Sequence, residues 1–176
     1  MAEIRKQTVL VVDDEPDVRL FLKTVLEDAG YDVMLAATGK QALERVTEKK
    51  PDVISLDLVM PKMSGLKFYK YIQKNKDRAD IPVVVLTAHA RDEFGKGDLA
   101  KIEAAKPPEG VLLVLEKPVQ PALYLSTIRT ALGTGEGGVE EPGGNVVLRS
   151  HVAEKLRNAD QKTLEEILRV LSRPAR

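Results

Sequence analysis

Thr8-Val9-Leu10-Val11-Val12-Asp13-Asp14-Glu15-Pro16 is the stretch that decides the fold: an unbroken run of β-branched and aliphatic residues ends in two adjacent acids. A run without polar alternation is what a strand buried on both faces requires. Pro16 then opens a segment in which Val18, Phe21, Leu22, Val25, Leu26 and Ala29 recur at helical spacing, closed by Gly30. A missing N–H at the first helical turn costs nothing, because that donor has no partner inside a helix.

The same strand–helix unit repeats. Strands are predicted at 32–37, 53–56, 81–86 and 111–115. Helices are predicted from Thr38 or Gly39 to about Lys49, over 66–75 with Ser64 as N-cap, and from about Gln120 to Leu132. Between the last two strands, the fourth helix is expected to be displaced, shortened or preceded by a loop, with 99–105 its clearest remnant. Such alternation predicts an α/β domain with a parallel sheet covered on both faces.

Four of the five runs end in reactive groups: Asp13-Asp14, Asp57, Thr87 and Lys117-Pro118. The C-terminal edge of an open parallel sheet is where sites form. Two adjacent acids at a buried strand end repel each other unless a cation neutralises them. An all-oxygen donor set suits Mg²⁺. Asp57 then serves as metal ligand and nucleophile toward a phosphoryl group, with Thr87 offering a hydroxyl and Lys117 an ammonium to its oxygens. Read singly, Asp14 is as good a helix N-cap as a ligand, Thr87 is an ordinary strand residue and Lys117 a solvated charge. Their shared sheet edge favours the functional reading.

Val11-Val12-Asp13-Asp14-Glu15-Pro16, Leu56-Asp57-Leu58-Val59-Met60-Pro61-Lys62-Met63-Ser64-Gly65, Leu86-Thr87-Ala88 and Glu116-Lys117-Pro118 together resemble the receiver domain of two-component response regulators. The resemblance implies a flavodoxin-like, doubly wound five-stranded sheet in the order 2-1-3-4-5. It implies phosphotransfer from a sensor histidine kinase or phosphotransfer protein to Asp57. It also implies Mg²⁺ held by Asp14 directly, Asp13 through water, Asp57 and the Val59 backbone carbonyl, with Thr87 and Lys117 engaging the phosphoryl group. Ala88 fits the space the family keeps there. The chain would be a phosphoacceptor, not an enzyme in the ordinary sense. Two departures stand out: Val114 occupies the place where the family usually has an aromatic, and the 87–117 segment is long.

The receiver is expected over 1–132, a Gly-rich linker over 133–145, and an amphipathic helix or helical hairpin over 146–176. Lysine plus arginine and aspartate plus glutamate both number 27 in the 176 residues, which argues against a broad nucleic-acid footprint. In 149–176 seven basic residues face four acidic ones with no aromatic among them, so no direct DNA binding is expected and a protein partner fits better. The fourth-helix face and the C-terminal helix are candidate homodimer surfaces. Without cysteine there are no disulfides or thiolate sites, and no run reaches the roughly 18 apolar residues of a membrane span, so a cytoplasmic location is expected. An aspartyl-nucleophile phosphatase needs a second acid two residues after the nucleophile, where Val59 stands. His89 near the site could tune acyl-phosphate hydrolysis, although a surface role is the simpler reading, and His151 is read as a helix-face residue. The competing reading is a docking or assembly module that keeps the acid pocket but works without phosphorylation.

Overall fold

A computed structural model describes residues 5–61, 63–88, 93–107 and 110–134. The expectations for Lys62, His89, His151, most of the Gly-rich linker and the C-terminal helical segment fall outside the described residues. Strands β1 (Thr8–Val12), β2 (Asp32–Ala36), β3 (Val53–Asp57), β4 (Val83–Thr87) and β5 (Leu112–Glu116) alternate with helices α1 (Pro16–Asp28), α2 (Gly39–Glu48), α3 (Gly65–Gln73), α4 (Glu93–Ala105) and α5 (Pro121–Ala131). All strand pairs are parallel and the order is β2-β1-β3-β4-β5, as expected.

Strand parity divides the core in two. Leu10, Val12, Ile54, Leu56, Val83, Val85, Leu112 and Val114 face α2, α3 and α4, where Val46, Phe68, Tyr69, Ile72 and Ile102 cover them. Val9, Val11, Val53, Val84, Leu86, Leu113 and Leu115 face Leu22 and Leu26 of α1 and Tyr124 and Ile128 of α5. Because successive side chains of a strand point to opposite faces, burial on both sides requires the near-continuous apolar runs seen in the sequence.

The helix ends follow local chemistry. Pro16 and Pro121 occupy first-turn positions. Thr38 Oγ1 accepts from the Gln41 N–H at 3.2 Å and Ser64 Oγ from the Lys67 N–H at 3.4 Å. After α1, Gly30 adopts φ +90°, and the Gly30 and Tyr31 N–H groups close onto the Glu27 and Leu26 carbonyls.

Three readings are corrected. Asp14 is not the N-cap of α1: Glu15 is, without a side-chain cap bond, and Asp13 Oδ1 takes the Glu15 N–H at 2.9 Å. The fourth helix is not shortened to 99–105 but runs the full Glu93–Ala105, despite Gly95 and Gly97, whose propensity is poor. Packing of Leu99, Ile102 and Ala105 on the core anchors it. Finally, Asp57, Thr87 and Glu116 are the last paired residues of their strands rather than the first residues beyond them, because the ladders extend to Asp57↔Leu86 and Thr87↔Glu116.

Gly65 fixes the approach of α3 to the sheet. A Cβ there would collide with the Asp57 carbonyl oxygen and lie 2.9 Å from Leu58 Cα, both backbone atoms that cannot rotate away. Gly65→Ala is therefore expected to lower stability by about 1–3 kcal/mol, seen as a lower urea midpoint at an unchanged slope.

Candidate functional site

Asp13, Asp57 and Lys117 continue the parity of Val9-Val11, Val53-Ser55 and Leu113-Leu115, so three separate strands bring them to one end of the sheet on the α1/α5 side. Lys117 Nζ lies 2.8 Å from Asp13 Oδ2, 3.1 Å from Asp57 Oδ2 and 3.4 Å from Glu15 Oε1. Asp13 is 0% exposed and Asp57 4%. Asp14 is half-buried, and one carboxylate oxygen from each of Asp13, Asp14 and Asp57 falls within 4.8 Å of the others.

Each buried acid is held by a backbone donor as well as by the ammonium. Asp13 Oδ1 accepts from the Glu15 N–H, and Asp57 Oδ1 from the Val59 N–H at 3.0 Å. That second bond folds the residue 59 backbone back beside Asp57. The Lys117-Pro118 peptide is cis. The Lys117 N–H donates to the Thr87 carbonyl at 2.9 Å.

Burial pushes the Asp57 carboxyl above its ordinary value, and the nearby Asp13 charge adds to this; the Val59 N–H and Lys117 pull the other way without winning. For Lys117, burial disfavours the ammonium, but the hydrogen bond to Asp13 and the charge of Asp57 outweigh it and hold the group above its ordinary range. The one ammonium of Lys117 cannot balance Asp13, Asp14 and Asp57 together, and the negative charge left at this all-oxygen cluster is the donor chemistry that a hard divalent cation satisfies.

Thr87 ends β4, the strand beside that of Asp57. It is buried, and its parity with Val83 and Val85 assigns its side chain to the α3/α4 face, where Val114 is also buried. It is tied to the acids through the backbone, by the β3–β4 ladder and the Lys117 bond. The position that the family usually fills with an aromatic thus holds a small core residue paired with Val85.

Two contributors carried no role in the sequence reading. Glu15 is the third carboxylate on Lys117, and Arg19 Nη1 donates to the Asp13 backbone carbonyl at 2.7 Å, bracing the β1–α1 turn. Glu15 was adjacent to the quoted acids, which is a usable signal. Arg19 looks like any helix-surface cation, and nothing in its sequence context distinguishes it.

Comparison with known proteins agrees with this geometry. The family model of the response regulator receiver domain matches residues 9–129. The chain is 30% identical over 128 residues to the polar-differentiation response regulator DivK of Brucella ovis, covering 73% of this chain and 97% of that one. The chemotaxis protein CheY4 of Vibrio cholerae superposes with a TM-score of 0.63 at 30% identity, over 72% of this chain and 99% of that one. The receiver domain of sensor histidine kinase PA1611 from Pseudomonas aeruginosa superposes with a TM-score of 0.63 at 25% identity, over 73% of this chain and 99% of that one. Its structure has a magnesium ion coordinated in the active site cleft. Among the described residues, no helix is long and apolar enough to cross a membrane.

The raised Asp57 carboxyl makes the folded chain the stronger proton acceptor, so stability falls as pH climbs from 3.8 through the folded value and is flat beyond it. Lys117→Met removes a group that holds the carboxyl down and should steepen that fall. In chelator, the variant should lose more stability than the wild type between about pH 4 and about pH 7, by up to about 3 kcal/mol, measured by urea unfolding across that range.

Proposed function

The chain belongs to the response regulator receiver domain family, and on that premise we propose that it accepts a phosphoryl group on Asp57 from a sensor histidine kinase or phosphotransfer protein. The observation that carries the reading is the environment of Asp57: a buried carboxylate gripped by the Val59 N–H and Lys117 Nζ, with Asp13 and Asp14 beside it. In the transfer, an Asp57 carboxylate oxygen attacks phosphorus, a P–O bond forms, and the bond to the donor's imidazole nitrogen breaks with its electron pair.

Asp13, Asp14, Asp57 and the Val59 backbone carbonyl are the groups to hold Mg²⁺. When bound, Mg²⁺ offsets the acid cluster's charge and so lets a phosphoryl group approach. Lys117, already paired with three carboxylates, has its charge in place for an oxygen of the transferred group. Thr87, at the end of the neighbouring strand, is the hydroxyl that would take another. Added phosphoryl charge would favour whichever arrangement lets both groups satisfy it, biasing a two-state equilibrium.

We place the protein in the cytoplasm and its output in protein contacts rather than direct DNA binding. A second reading, docking independent of phosphorylation, draws on Val114, which is packed under α4 and too small to swing as an aromatic would.

Incubation with a small acyl phosphate and Mg²⁺ is expected to add one phosphoryl group, seen by intact-protein mass spectrometry, with the signal lost in chelator and in Asp57→Asn. Labelling of Asp57→Asn at the wild-type level would overturn the assignment. Partner binding that is the same before and after labelling would favour the second reading.

A further inference from the structure

Two helix faces on opposite sides of the sheet are complementary, yet one molecule cannot bring them together. α1 packs on the Val9/Val11 side of β1 and α3 on the Leu10/Val12 side. Among the described residues the large exposed hydrophobics are Leu20 at 62%, Phe21 at 42%, Val59 at 57% and Tyr71 at 55%. Three of these four lie on α1 and α3: Leu20 and Phe21 are adjacent on α1, and Tyr71 stands on α3.

On α1, Asp17, Leu20, Phe21, Thr24 and Asp28 are all exposed and recur at helical spacing along one stripe. Its centre is apolar and each end is an acid. On α3, Lys67, Lys70, Tyr71 and Lys74 are exposed at the same spacing, an aromatic ring bracketed by ammonium groups. The fold pairs other surface charges, such as Lys23 with Glu27 and Lys50 with Asp80. Among the described residues, Asp17, Asp28, Lys67, Lys70 and Lys74 form no ion pair. Both stripes therefore present unspent charge of opposite sign around an apolar patch on a chain whose formal net charge is zero.

We propose that the α1 face of one copy docks on the α3 face of a second copy. The contact is heterologous: one molecule keeps a free α3 face and the other a free α1 face, so association continues head to tail instead of closing as a two-fold dimer. Leu20 and Phe21 meet Tyr71 at the centre, and the acids of α1 meet the lysines of α3 at the rim. A patch one helix wide makes a weak contact, and its rim charges make that contact sensitive to salt.

Sedimentation of the full chain tests this directly. The wild type in low salt should exceed the mass of a dimer as concentration rises, and return to monomer in 1 M salt, where screening acts over ~3 Å. Two double variants reverse one face each: Asp17→Lys with Asp28→Lys, and Lys70→Glu with Lys74→Glu. Every substituted position is exposed, and circular dichroism should match the wild type. Each variant alone should remain monomeric in low salt. Their equimolar mixture should associate again, because the basic α1 of the first then fits the acidic α3 of the second and the unaltered faces also fit one another. A wild type that stays monomeric, a species that stops at a dimer, variants that associate like the wild type, or a mixture that stays monomeric would each overturn the proposal.

Discussion

The ammonium of Lys117 between Asp13 and Asp57 is the interaction on which the site depends. Two carboxylates buried at adjacent parallel strands repel each other, and burial strengthens that repulsion by excluding water. Lys117 arrives from β5, on the far side of β4, and is within hydrogen-bond distance of both. It can do so only because the strand order sets β1, β3 and β5 with their C-terminal ends at one edge. Fold and site are thus mutually dependent: the sheet positions the charges, and the lysine makes their burial tolerable. It does not neutralise them fully, since Asp57 keeps a raised carboxyl and Asp14 brings a further charge. That residual negative charge is the basis for expecting a divalent cation.

Parity along the strands separates the site's groups by destination. Asp13, Asp57 and Lys117 share the α1/α5 side, whereas Thr87 belongs with Val83 and Val85 toward α3 and α4. A charge added at Asp57 and drawn to both Lys117 and Thr87 would therefore act on the two layers of the molecule at once. On the Thr87 side, Val114 is part of a packed core with Ile102 of α4. Any signal on that side would pass through close packing rather than rotation of a ring. Gly65 adds a steric constraint, because α3 begins against the Asp57 backbone and leaves no room for a Cβ.

The surface follows a different logic from the core. On two helices the exposed charges without an ion pair differ in sign, Asp17 and Asp28 on α1 against Lys67 and Lys70 on α3, and the sheet keeps the two helices apart. Zero net charge conceals this polarity, since a sum over the chain carries no positional information.

Much of the architecture was legible in the sequence for a simple physical reason. A strand buried on both faces must be apolar at every position, so β1, β3, β4 and β5 announce themselves as runs, and their ends mark where chemistry can stand. Asp13, Asp14, Asp57, Thr87 and Lys117 were identifiable on that ground, and the motifs carrying them pointed to the family. Local rules were less reliable where packing competes with propensity. The long 87–117 segment argued against a full α4, which burial of Ile102 nevertheless supports, and Asp14 had the chemistry of a cap while Asp13 took the Glu15 N–H. Only the tertiary structure decided that Lys117 is shared among three acids and that Arg19 braces the β1–α1 turn. Lys117 and Asp13 are 104 positions apart in the chain, and spacing along a chain carries no information about separation across a sheet.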